Sequence, residues 1–197
     1  MAAPRQFQTV VAASRAEWRS WLERHHASET GALLVYFKLG SGTPSVTYPG
    51  AVKEALCFGW IDTTRYALDD QRYQQVFVPR RAGSGWSRLN KTYIQELSAA
   101  GLMTAAGLSS ITAAQRDGSW TRLEAGESLA MPPDLQAALD ADPLVAEHFA
   151  AFPSSVRKYI LQWIAEAKRP VTRQQRVAQT VQQAARNERV RGGRPAR

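Results

Sequence analysis

Residues 31–39, GALLVYFKL, restrict the fold more than any other segment. An almost unbroken apolar run this dense in strand-forming residues, bounded by Gly31 and the Gly40–Pro44 turn cluster, reads as a buried strand. Two more strands are expected over Trp60–Leu68 and Arg72–Val78, joined by a tight Asp69-Asp70 turn. Helices are predicted around them. Ser14 and Glu17 have capping-box spacing ahead of Trp18, Trp21 and Leu22, which predicts a helix near 14–26. Thr47 caps a helix over Tyr48–Cys57, ended by Gly59. Ser87 caps one to Ala99, and another spans Thr104–Arg116. Residues 118–131 read as an irregular connector.

Beyond the connector the patterns are helical only. Pro133 and Pro143 suit first-turn positions of short helices to Ala141 and Ala151. Val156, Ile160, Trp163 and Ala167 form an amphipathic stripe over 155–168, with Ser154 or Ser155 as cap. Pro170 is read as a stop, with Thr172 and Gln175 as a second capping box for a helix to Glu188. The fold class is therefore α+β: a small antiparallel sheet of about three strands flanked by helices, then an all-helical C-terminal module. The expected domains are an α+β body over 1–130, a helical module over 131–190 packed on it, and a mobile basic tail over 191–197.

Composition narrows the chemistry. Apolar residues make up 44% of 197, with six each of Trp, Tyr and Phe, which excludes a mainly disordered chain. One cysteine, Cys57, in an apolar setting reads as a buried, inert thiol and excludes disulfides and multi-thiolate metal sites. His25 and His26 end a helix, His148 has no acidic company, and no metal or cofactor is expected. Ser155 and Lys158 match an SxxK spacing without the motifs that accompany it in enzymes, so Ser155 is read as a cap. No export signal or spanning segment is visible, so the cytoplasm is the expected compartment.

The charge is uneven. The net +8 resides in the C-terminal quarter, where residues 154–197 hold eleven Lys and Arg against Glu166 and Glu188. Helix N-termini favour acidic first turns by about 0.3–1 kcal/mol per residue. Three predicted starts do the reverse: Ser87 with Arg80, Arg81, Arg88 and Lys91; Ser154/Ser155 with Arg157 and Lys158; and Thr172 with Lys168, Arg169, Arg173 and Arg176. Hydroxyl, free amides and clustered cations together describe an anion site. Against that stands the plain reading, in which these side chains point to water. The segment Pro79–Lys91, PRRAGSGWSRLNK, is the richest, with four bases, no acid and two glycines. Its Trp86 either offers a stacking face to a ligand or folds back onto the core. Asp62, at the start of the Trp60–Leu68 strand, is either a general base or half of an Asp62–Arg80 pair.

The stretches EWRSWLERHH, VYFK, SVTYPGAVKEALCFGWID, PRRAGSGWSRLNK, GLMTAAGL, AAQRDGSW and FPSSVRKYILQWIAEAKRPVTRQQRVAQTV together resemble the YdeI/OmpD-associated, or bacteriocin-protection, family. The body is also similar to small α+β domains of the YdhG type. The resemblance implies a role in tolerance of bacteriocins or antimicrobial peptides, and by its name association with a porin, but no reaction. Three functions follow as expectations. The first is a non-enzymatic protein binding an anionic small molecule or phosphate through Lys38, Trp60, Asp62, Arg80, Trp86, Ser87, Asn90 and Lys91. The second is a nucleic-acid-associated protein using the basic surface of Arg157, Lys158, Lys168, Arg169, Thr172, Arg173 and Arg176. The third is an enzyme using Asp62.

Overall fold

The computed structural model describes residues 7–188, which form two compact units parting between Trp120 and Thr121. The architecture is α+β. In the first unit the elements are β1 (Gln8–Val11), α1 (Arg15–His25), β2 (Ala32–Phe37), α2 (Tyr48–Cys57), β3 (Trp60–Ala67), β4 (Arg72–Pro79), α3 (Arg88–Ala99) and α4 (Ala105–Asp117). The sheet has four strands in the order β1-β2-β4-β3 and is mixed, where three antiparallel strands were expected. β2 pairs antiparallel with β4, and β4 with β3. The added strand, β1, is parallel to β2 with Gln8 opposite Ala32. It buries only Val10.

One sheet face, carrying Ala32, Leu34, Tyr36, Phe77 and Trp60, shares a core with Trp18 and Leu22 of α1, Ala55 and Leu56 of α2, Ile94 and Leu97 of α3 and Ala114 of α4. The Trp18 and Trp21 rings stack at 5.1 Å. Val35 and Val76, on the opposite face, are buried outside this core. Helix starts follow the local code. Ser14, Thr47, Ser87 and Thr104 each accept from the amide three residues on. The Glu17 carboxylate also accepts from the Ala13 amide at 2.9 Å.

Two glycines seat α4 against the end of α2. Gly59 turns the chain into β3 with φ +73, a left-handed conformation costly to other residues. Gly107 sits where a Cβ would overlap the Cys57 carbonyl. That carbonyl accepts from the Thr104 hydroxyl at 2.6 Å, so the approach is held by a hydrogen bond as well as by the missing side chain.

β3 carries a bulge. Asp62 lies opposite Phe77 and Arg65 opposite Gln75, so Thr63 and Thr64 together occupy the place of one residue. Asp62 and Arg65 consequently share the face of Phe77 and Gln75, although two residues three positions apart would lie on opposite faces of a regular strand.

The second unit contains α5 (Glu124–Glu127), α6 (Pro133–Asp140), α7 (Pro143–Ala151), α8 (Ser154–Ala165) and α9 (Pro170–Ala185). α5 is a single turn inside the segment expected to be irregular. Leu135, Leu139, Phe149, Ile160, Leu161, Ile164 and Ala184 form a core of its own. α5 lies close to α8: a Cβ on Gly126 would be 2.5 Å from the Lys158 carbonyl oxygen. Two expected caps are not formed. Pro153 is the N-cap of α8, and neither Ser154 nor Ser155 makes a capping bond. Pro170 opens α9 with Arg169 as N-cap, so Thr172 lies within the first turn. Proline has no amide hydrogen to lose at a first helical position, and its fixed φ suits the helix, so it starts α9 and is not simply the stop of α8 that the sequence suggests. The basic tail expected over 191–197 lies outside the described residues.

Candidate functional site

The loop after β4 is built around Arg80. Its guanidinium lies 3.6 Å from the centre of the Trp86 ring and donates through Nη1 to the carbonyls of Ser84 and Gly85, at 3.4 and 3.1 Å. Its Nε is buried without a hydrogen-bond partner. Burial pushes the Arg80 pKa down to about 10, against the opposing field of Asp62. Trp86 is 2% exposed and tilts against Trp120 at 5.2 Å. Of its two readings, the one that folds onto the core is what the chain adopts, and Arg80 covers a face of the ring.

The other residues expected to line one pocket are dispersed. Trp60 is buried; its indole N–H donates to the His26 carbonyl at 3.2 Å, and its ring meets Trp21 edge-on. Lys38 donates to the Asp69 and Asp70 carbonyls at the β3–β4 turn. Its neighbour Phe37 pairs with Arg72, whereas Asp62 pairs with Phe77. That separation along β4 is about 17 Å at 3.3–3.4 Å per residue. Lys38 and the Arg80 loop are therefore at opposite ends of the hairpin. Ser87 accepts from the Asn90 amide at 3.2 Å, and the Lys91 ammonium lies 5.1 Å from the Trp120 ring centre.

Asp62 and Arg80 interact electrostatically but form no ion pair, so the expected Asp–Arg pair is replaced by other partners. Asp62 Oδ2 accepts from the Tyr48 hydroxyl at 2.8 Å and from the Gln75 amide at 3.3 Å. Burial, then Asp62, hold the Tyr48 hydroxyl up to about 12.

The basic residues of the second unit serve internal contacts in part. Arg173 grips Asp134 with two hydrogen bonds, at 2.6 and 2.8 Å. Arg176 donates to the Trp163 carbonyl and lies over that ring at 5.0 Å. Arg157 and Lys158 are half-buried, and Arg157 Nε is buried without a partner. Thr172 is half-buried in the first turn of α9, while Lys168 and Arg169 are exposed. Among the described residues no group of three or more His, Cys, Asp or Glu side chains is placed to hold a metal ion. No helix among them is long and apolar enough to cross a membrane.

The sheet face turned away from the helical core bears a pocket of about 410 Å³, within the range of small-ligand sites. Ile61, Val76 and Val78 line it along β3 and β4, Phe7 adds an apolar wall, and Thr63, Thr64, Tyr66 and Ser84 bring hydroxyls. Arg81 contributes a guanidinium that has no ion pair and no side-chain hydrogen bond among the described residues. The basic loop is conspicuous in the sequence, where its glycines and aromatic ring direct attention to Arg80 and Trp86 and not to Arg81. The alternation of Ile61, Val76 and Val78 was the available signal for an apolar outer face, and the bulge that turns both threonines toward the pocket left none.

Residues 10–110 match the model of a family described as a domain of unknown function (DUF8412), and residues 128–187 match the one described as "Bacteriocin-protection, YdeI or OmpD-Associated". No curated protein and no solved structure matches the chain.

Proposed function

The chain belongs to the family described as a domain of unknown function (DUF8412), and from that premise we propose that it is a non-enzymatic binding protein for a small anion with an apolar body. The observation that carries this reading is the outer-face pocket, where an apolar floor of Ile61, Val76 and Val78 adjoins Arg81. An apolar surface holds a hydrocarbon or ring, and an arginine fork recognises a carboxylate or phosphate with charge-assisted hydrogen bonds. Ser84 and Thr64 supply further donors at the rim.

Decanoate, benzoate and inorganic phosphate are suitable probes. Decanoate is expected to raise the melting temperature saturably, with decanol and phosphate each doing less. Arg81→Ala should weaken decanoate by roughly ten-fold, the loss of one charge-assisted contact. A melting temperature indifferent to all three anions rejects the reading. The match of residues 128–187 supports a place for this binding in bacteriocin or antimicrobial tolerance, and cells lacking the protein should then be more sensitive. The compartment assigned is the cytoplasm, which cell fractionation checks.

A further inference from the structure

On the opposite face of the sheet, we propose that Asp62, Arg65 and Tyr36 form a second site, independent of the outer pocket, for a small zwitterion of the α-amino-acid type.

The bulge at Thr63 and Thr64 sets a carboxylate and a guanidinium side by side on one face without letting them neutralise each other. Asp62 is half-buried, and neither it nor Arg65 forms an ion pair among the described residues. A half-buried carboxylate with no cation in contact gains from one that a ligand supplies, and the exposed Arg65 is accessible to an anion. Asp62 is also aimed. Tyr48 and the buried Gln75 both donate to Oδ2, which fixes the carboxylate and leaves Oδ1 without a bond. Arg65 is held as firmly: its guanidinium lies 3.8 Å from the centre of the Tyr73 ring, whose stacking partner at 4.8 Å is Tyr36.

The Tyr36 hydroxyl is the independent sign of a missing ligand. Tyr36 is 2% exposed, and its hydroxyl has no hydrogen-bond partner, which a buried polar group rarely lacks. The Tyr36 ring packs in the core that includes Trp18, and its hydroxyl is within electrostatic range of Asp62, Tyr48 and Tyr73, which ties it to this cluster. An ammonium group has three donors and no acceptor. Asp62 Oδ1 and the hydroxyl oxygens of Tyr36 and Tyr48 are three acceptors for it. The ligand's carboxylate then meets Arg65. Asp62 and Arg65 face Phe77 and Gln75, two residues apart on β4, a spacing of about 7 Å. A single amino acid with its hydrogen bonds spans such a distance.

The test is a titration of the full-length protein with L-alanine, followed calorimetrically and by tyrosine-ring NMR shifts. L-Alaninamide, which lacks the carboxylate, and propionate, which lacks the ammonium, are the comparison ligands. Saturable binding of L-alanine is expected, with either half-ligand at least ten-fold weaker. Asp62→Asn and the exposed Arg65→Gln should each weaken L-alanine at least ten-fold, and Tyr36→Phe less. None of the three variants should alter decanoate binding at the outer pocket. Absence of saturation by L-alanine, equal binding of alaninamide, or unchanged L-alanine affinity in Arg65→Gln each overturns the proposal. Arg65 is exposed, so its variant reads binding without the burden of folding.

Discussion

Single residues carry much of the first unit's electrostatic order. Glu54 is 3% exposed and accepts from both Arg15 and Arg19. The arginines can turn to water if the carboxylate is lost, so Glu54→Gln should cost about 1–3 kcal/mol in a denaturant titration. Arg80 presents the reverse case, a cation without a carboxylate. Its plane rests on Trp86 while its fork closes the Ser84–Gly85 loop. A lysine keeps the charge and loses both the stacking and the fork, and Arg80→Lys is expected to lose about 1–2 kcal/mol. In the second unit, the Arg173 hydrogen bonds hold the Asp134 carboxyl below its ordinary range. A depressed folded pKa stabilises the fold above the unfolded value, near 4, and that contribution disappears as pH falls through the folded value. Wild type should thus lose stability on acidification below about pH 4 more steeply than Asp134→Asn, as paired melting curves at stepped pH would show. The arginine doublet was visible in the sequence. That Arg80 would turn inward and Arg81 outward was not, because only the route of the loop decides it.

At the scale of elements, local code was legible and long-range pairing was not. The Tyr48–Cys57 helix and the Pro143–Ala151 helix occupy the residues their caps and prolines predict. Such signals are spent within one turn of the chain. β1 had no comparable signal: four residues that bury only Val10 become a strand because β2 lies alongside. The approach of α4 to α2 is likewise a tertiary fact written in a glycine. Gly107→Ala favours the helix by propensity, yet its Cβ meets the Cys57 carbonyl, a backbone group that cannot swing away. The steric effect should dominate, with a net loss of at least about 2 kcal/mol in thermal or denaturant unfolding. The candidate sites divide in the same manner. Asp62 was singled out from its position, but its companions Tyr36, Gln75 and Arg65 come from strands whose register no local pattern specifies.

At the scale of the whole molecule, the described residues hold two hydrophobic cores, one in each unit. Ile160 is fully buried in the second, and Ile160→Ala should cost that unit about 2–5 kcal/mol. Hydrogen exchange should register the loss in α6–α9 while amides of β2 and β4 keep their protection. The concentration of positive charge in the last quarter was plain in the sequence, but charge counting is blind to neighbours: Arg173 and Arg176 are engaged inside their unit. One consequence of the β3 bulge concerns chain length. Because Thr63 and Thr64 share a single place opposite Val76, one of them is slack. A chain shortened by either threonine could pair Asp62 and Arg65 with the same residues of β4 as now, since the remaining threonine restores a regular ladder. Here, then, a deletion is gentler than it looks, whereas the loss of one residue anywhere else in β3 would exchange the two faces beyond it.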